Sequence, residues 1–419
     1  MVELKREFKL LIGFIFFYLF FYLFPAPDRI LQGLKEGAIL LHWYVKEHIL
    51  FCLVPAFFIA GAISTFISKE SVFKWLGPTA PKPIAFLVAS VSGTILAVCS
   101  CTVLPLFAGL YLQGAGLGPA TTFLYSGPAI NILAIVLTGK VLGVKIGLAR
   151  AIGSITMGIL LGIIMHFLFR KSEKKRLENL ISSPIVKSIS FFQSFSLLIT
   201  LVLILVIATS NVMFKWFILY LLFILLLGQL YKFFNVSLKA TLISLILVTL
   251  LGILSPYKEI PFIGGILTLS YIINSQKGVL REWFDNSYIL AKQIFPLLFI
   301  GVFISGFFLG GATGDGYIPK IYIEKLLGGV GFFTHSFAAF ITALMYFATL
   351  TEVPIIQGLM AQGVKAGPAL SMLLAGPAVS LPSLLVLRVI IGPKKTIIYS
   401  ILVILISALY GFLFQMLIG

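Results

Sequence analysis

Long apolar runs, many close to the roughly twenty residues that carry a helix across a bilayer, leave this chain few ways to fold. Hydrophobic residues make up 60% of the 419 and charged residues 11%, whereas a soluble domain carries about 25% charged residues. No water-soluble core could hide so much apolar surface, so the solvent must be lipid. In lipid each segment has to satisfy its own backbone hydrogen bonds, which a helix does. The expectation is an all-α polytopic protein of the cell membrane, with the lipid bilayer as its surroundings. The net charge of +17 does not point to nucleic acid. Lys and Arg fall in short loops between apolar runs, as the positive-inside rule requires.

One element recurs. From Thr102 to Asn131 the chain reads TVLPLFAGLYLQGAGLGPATTFLYSGPAIN, and from Thr351 it reads TEVPIIQGLMAQGVKAGPALSMLLAGPAVS. A constant offset of 249 superposes the two without a gap, with 13 of 30 positions identical. Pro105 falls on Pro354, Gly109 on Gly358, Gly127-Pro128 on Gly376-Pro377. Shared hydrophobicity does not align this many Gly, Pro and Gln in register. A duplicated unit inside a hydrophobic chain is the plan of many transporters.

The chain then divides as follows. Residues 1–27 read as an uncleaved N-terminal transmembrane helix with its start in the cytoplasm, since no small-x-small cleavage site precedes Pro25 and Pro27. Residues 28–169 form a first repeat, opening on an amphipathic helix over 28–46 expected to lie in the interface. Residues 170–188 form a charged cytoplasmic linker, 189–275 hold three or four connecting transmembrane helices, and 276–419 form the second repeat. The run 84–112 is too long for one plain helix, and Pro105, which lacks an N–H, is expected to break it. A hairpin broken near the cysteines would place 170–176 in the cytoplasm. With two or four helices following, the second repeat would be inverted relative to the first. A continuous helix is expected over 118–138 and another over 368–387, with a basic loop at 388–395.

The chemistry is expected at the two breaks. Cys99 and Cys101, with Ser100 between them as a further candidate substrate contact and Thr102 beside them, point in different directions on a regular helix but to one side of an unwound segment. Paired thiolates select soft acceptors such as Cu(I), Zn or trivalent arsenic. Otherwise they are small buried hydrophobes, and Cys52, in another helix, could add a third sulfur. The second repeat carries no cysteine there but Glu352, two residues before Pro354. A carboxyl within an apolar run is functional more often than not and is suited to proton coupling or substrate contact; otherwise it bonds to unwound backbone. Asn131, opposite Ser380, either binds substrate or satisfies freed backbone groups. Pro105, Gly109, Gly127, Pro128, Pro354, Gly358, Gly376 and Pro377 are the expected hinge and break positions. His335 is a candidate gate and His166 an interfacial residue. No GxSxG, HExxH, Walker loop or CxxC occurs, so no enzyme, cofactor or resident metal is expected, and transport would run on a gradient. A membrane thiol oxidoreductase and a passive channel are the rival classes. Association with a second copy is left open.

The stretch CSCTVLPLFAGLYLQGAGLGPATTFLYSGPAIN, with TEVPIIQGL and AGPAVSLPS in the second repeat, resembles the ArsP-type permease family. The resemblance covers most of 38–169 and 276–419. It implies efflux of a small thiophilic substrate such as a trivalent organoarsenical, with Cys99 and Cys101 as candidate arsenic ligands.

Overall fold

The computed structural model describes residues 27–66, 75–77, 80–96, 100–181, 191–210, 212–257, 259–310, 314, 316–318, 326–345, 352–361 and 363–418. The expected N-terminal helix up to residue 26, Cys99, Thr351, Gln362, residues 182–190 and much of the glycine-rich loop 310–329 lie outside the described residues. Among the described residues all regular structure is helical, and six helices are long and apolar enough to cross a membrane, or seven if a bent pair counts as one.

The first long span joins α1 (Pro27–Tyr44), a π-helical stretch (Val45–Leu53) and α2 (Val54–Phe66). The widened turns lead into Pro55, which has no N–H for the ladder. Segment 28–46 is therefore not a separate interfacial helix. Gly33 and Gly37 press it against the carbonyls of Phe307 and Phe303, so that face is buried in protein rather than in headgroups.

Next come α3 (Lys82–Leu96) and α4 (Ser100–Leu112). At 1.5 Å per residue each is only about 20 Å long, too short to cross. Lys82 lies over the Phe167 ring, 5.4 Å from its centroid. At the other end Arg176 donates to the carbonyls of Tyr111 and Ala115, both at 2.7 Å. Both ends of the α3–α4 pair thus sit at one end of the same helix, α7 (Val144–Ile181). The pair is a hairpin that enters and leaves on one face. Its break precedes Ser100 and is not at Pro105, which sits inside α4. The expected break at Pro105 is corrected: its missing donor removes one bond near the helix start, and tight packing holds the rest. A β-carbon on Gly109 would lie 2.9 Å from the carbonyl of Ala60.

The expected helix 118–138 is two helices, α5 (Leu117–Ala129) and α6 (Ile132–Val141), bent by 47° just after Gly127-Pro128. α7 then runs 38 residues, so the charged segment 170–181 extends that helix rather than forming a loop. Among the described residues four helices follow, α8 (Phe191–Thr209), α9 (Lys215–Phe234), α10 (Leu238–Leu254) and α11 (Glu259–Ser275), of which α8 and α9 are long and apolar enough to cross a membrane. Their outer faces expose Leu242, Ile243 and Ile246, as lipid contact requires.

The remaining elements are α12 (Val279–Leu309), α13 (Phe332–Leu344), α14 (Glu352–Ala361), α15 (Ala366–Ala375), α16 (Leu381–Ile391) and α17 (Pro393–Ile418). The expected helix 368–387 is broken after Gly376-Pro377, and the expected basic loop 388–395 shrinks to Gly392 between two helices. The offset of 249 holds in three dimensions. α5 and α15 begin at 117 and 366, α6 and α16 at 132 and 381, α7 and α17 at 144 and 393. The left-handed glycines recur too: Gly114 and Gly363 both have φ 105°, Gly143 has 104° and Gly392 has 86°. Only glycine adopts such φ without strain.

Counterpart helices run antiparallel. Along α7 and α17, Thr156 meets Tyr410, Met157 meets Ser407, and Glu173 meets Lys395. Along the first long span and α12, Gly33 meets Phe307, Gly37 meets Phe303 and Gly61 meets Ser287. The α13–α14 pair accordingly opens at the far face, where His335 and Phe332 pack on Phe412 near the end of α17.

At the end of α4, Glu173 accepts from the Tyr111 hydroxyl at 2.8 Å and pairs with Arg176 and Lys395. The Arg176 guanidinium stacks on the Tyr111 ring, 3.6 Å from its centroid. This largely buried cluster ties the first hairpin to α7 and to the start of α17. Glu173→Gln removes the charge that two cations share. It is expected to cost about 1–3 kcal/mol, read as a lower unfolding midpoint in detergent; an unchanged midpoint would show that the cluster contributes nothing.

Candidate functional site

The return arms of the two hairpins begin at Ser100 (α4) and Glu352 (α14), and the residues just before each lie outside the described ones. Cys99 lies outside the described residues, and Ser100 and Cys101 are described only as backbone, the first two residues of α4. What stands beside that turn is described. Cys52, in the π-helical stretch, is buried with its sulfur 2.6 Å from the hydroxyl of Thr102. The first long span therefore brings a third cysteine to the residue that follows Cys101 in the chain.

Asn131 and Ser380 cap the second halves of the two broken spans. The Asn131 side-chain oxygen accepts from the N–H of Ala134 at 3.4 Å, and the Ser380 hydroxyl accepts from the N–H of Ser383 at 3.4 Å. Both satisfy helix-start donors left without partners, so these counterparts do structural work at the breaks. Between the two units, the Tyr125 hydroxyl donates to the carbonyl of Leu374 at 3.1 Å. These positions are 249 apart, so equivalent points of the two units touch. α4 packs on α16 and α14 packs on α6, which interleaves the return arm of each hairpin with the broken span of the other unit.

Glu352 is the first residue of α14 and is fully buried. Its partner is not unwound backbone but Arg150 of α7, also fully buried. Arg150 further donates to the Thr138 hydroxyl of α6 at 2.8 Å. Three polar atoms of this cluster have no partner among the described residues: Arg150 Nε, Glu352 Oε2 and the hydroxyl oxygen of Ser154. Ser154 lies four residues after Arg150, on the same helix face. The other unit has no such pair. At the positions 249 away, Val103 stands opposite Glu352, Tyr399 opposite Arg150 and Leu387 opposite Thr138. Arg150 is not singled out in the sequence because it lies close to Lys145 and the run's start, where a cation ordinarily reaches the interface. The available signal was its place within GLARAIG, small and apolar on both sides.

Of the expected hinges, Gly127, Pro128, Gly376 and Pro377 are buried at the span breaks, Pro354 falls in the first turn of α14, and Gly358 is exposed with open space around it. His335 is buried and its Nδ1 lies 2.9 Å from the carbonyl of Gly331. Its ring stands beside Gly367, where α15 crosses α17. His166 occupies the matching crossing at Gly118. Gln113 donates from its amide to the carbonyl of Ser64, tying α4 to the end of α2. A cavity of about 410 Å³ lies away from the breaks, between α2 and the connecting helices. It is lined by Phe58, Trp216, Phe223 and Phe262, and its Tyr220 hydroxyl is paired with Thr249; such a lining offers no chemistry. No group of three His, Cys, Asp or Glu side chains suited to a metal occurs among the described residues.

A family model described as a predicted permease matches residues 35–416. The UPF0718 protein of Methanocaldococcus jannaschii is 38% identical over 376 residues, covering 88% of this chain and 92% of that protein. No solved structure matches the chain.

Proposed function

Since this chain belongs to the ArsP-type family of predicted permeases, we propose that it is an efflux permease of the cytoplasmic membrane, moving a small thiophilic substrate out in a process driven by a proton gradient. A trivalent organoarsenical is the leading substrate. The observation that carries this reading is the pair of helical hairpins opening on opposite faces, one returning at Ser100-Cys101 and the other at Glu352. Two inverted units around a midplane site allow each face to open in turn. The face that holds Lys82, Arg170, Lys171, Lys174, Lys175, Lys394 and Lys395 is the cytoplasmic one, by the positive-inside rule.

In this scheme R–As(OH)₂ reaches Cys99 and Cys101 from the cytoplasm. Two thiols replace the two hydroxyls, giving a dithiolate and two waters. The reverse reaction with water releases the substrate on the far side. Glu352 takes up a proton from outside and gives it up inside. Asn131 and Ser380 keep the span breaks in shape while the units rock.

Uptake of phenylarsenous acid into inside-out vesicles tests the thiol site. Cys99→Ser with Cys101→Ser is expected to reduce the rate at least about a hundredfold. The loss follows because a hydroxyl is a far poorer ligand than a thiolate for a soft acceptor. Uptake that persists in the double variant would remove the cysteines from the mechanism, and uptake indifferent to an imposed pH gradient would remove the proton.

A further inference from the structure

The pair formed by Arg150 and Glu352 has a consequence for what accompanies the proton. Both side chains are fully buried, and together they are neutral. If Glu352 alone took up a proton, an unpaired guanidinium would remain inside the bilayer, where a lone charge is strongly disfavoured. Proton uptake therefore requires a second event that restores neutrality at Arg150.

We infer that this event is the binding of a monoanion: Arg150, with the start of α14 and Ser154, forms an anion site that opens when Glu352 is protonated. Two buried donors stand without a partner among the described residues: the Nε–H of Arg150 and, one turn further along α7, the hydroxyl of Ser154. Protonation would also free the guanidinium N–H that Glu352 now occupies. The first turn of α14, a helix of ten residues, adds backbone N–H groups and the positive end of its dipole. The charge balance closes. Carboxylate, guanidinium, proton and anion give a neutral acid and a guanidinium–anion pair, with no net charge gained.

Among the described residues, no other group around Glu352 supplies the missing charge. α6 presents Thr138, with Lys140 exposed near its end; α7 presents Arg150 and Ser154; α15 has no titratable side chain, and Lys365 before it is exposed. Tyr125 stands within electrostatic reach of Tyr399, Tyr410, Arg150 and Glu352. The inference rests on the permease reading only in requiring that water reaches the site. It does not involve the cysteines.

The test uses purified full-length protein in weakly buffered detergent solution, with a pH-indicator readout. Chloride represents a free inorganic anion, and benzoate represents a carboxylate carried on an organic substrate. Addition of the anion that fits should drive uptake of up to about one proton per chain. Its apparent affinity should weaken about tenfold per pH unit once Glu352 is ionised, as the competent fraction falls. Glu352→Gln imitates the protonated state. It should bind the same anion without proton uptake, equally well at pH 6 and pH 8, and the anion should raise its thermal midpoint. Arg150→Gln with Glu352→Gln should do neither. A response to chloride alone assigns a free inorganic ion, and a response to benzoate alone assigns an organic carboxylate. Absence of anion-linked proton uptake in the wild-type protein with both probes would overturn the inference. So would equal anion binding by the double variant. Loss of transport in the cysteine variants with anion linkage intact would leave this inference standing while the thiol site was confirmed; the converse result would separate them the other way.

Discussion

Arg150→Met alone is expected to destabilise the protein by about 3–5 kcal/mol, the range for removing one partner of a buried ion pair. Arg150→Met with Glu352→Gln together should recover most of that loss. The asymmetry is the informative part. The pair itself gains little over a well-packed neutral replacement, because two charges must be desolvated to form it. Breaking it leaves the Glu352 carboxylate buried, with Thr138 having lost its donor as well. The measurement is thermal unfolding in detergent, with the yield of monodisperse protein beside it. Equal losses in the single and double variants would mean that Arg150 acts through packing rather than charge. An undiminished single variant would mean that Glu352 does not depend on Arg150 at all.

The second large effect is expected where the paired crossings pinch. A β-carbon on Gly162 would lie 2.8 Å from the carbonyl oxygen of Gly118, and one on Gly411 would lie 2.5 Å from that of Gly367. These are counterparts at the offset of 249, so α7 crosses α5 as α17 crosses α15. Small residues let helix backbones meet closely in lipid, where no hydrophobic force drives them together. A carbonyl in a packed helix cannot yield as a side-chain tip can. Gly162→Ala and Gly411→Ala are each expected to cost about 2–3 kcal/mol. The two sites share no partners among the contacts of either glycine, so the double variant should lose about the sum. Gly358→Ala is the control. Open space surrounds that glycine, and alanine in a helix should be neutral or stabilising by up to about 1 kcal/mol. Similar losses at all three positions would show that glycine matters here for backbone freedom rather than for close approach.

The crossings also show how far the duplicated pattern carries. Gly118 and Gly367 align in the sequence, and their common packing role follows from that alignment. Gly109 and Gly358 align equally well, yet one is wedged against Ala60 and the other faces open space. An offset identifies positions that share a backbone path. It does not say which of them has a neighbour, because the neighbour comes from elsewhere in the chain. Pro105 teaches the same lesson. Its missing donor is a local fact, but the helix that holds it runs on from Ser100 to Leu112, packed against α2.

Composition and pattern by themselves determined that this chain lives in lipid, that it is helical, and that one thirty-residue stretch recurs at an offset of 249. These are properties of local segments: the transfer of apolar side chains and the self-satisfaction of a helical backbone depend on little outside each run. Only the tertiary structure decided that counterpart helices run antiparallel, that segment 28–46 is buried against α12, and that Glu352 has a cation partner. Arg150 and Glu352 are 202 residues apart, on α7 and α14, which only the packed chain brings together. A charge pair inside a membrane is a relation between two surfaces, and no stretch of chain contains it.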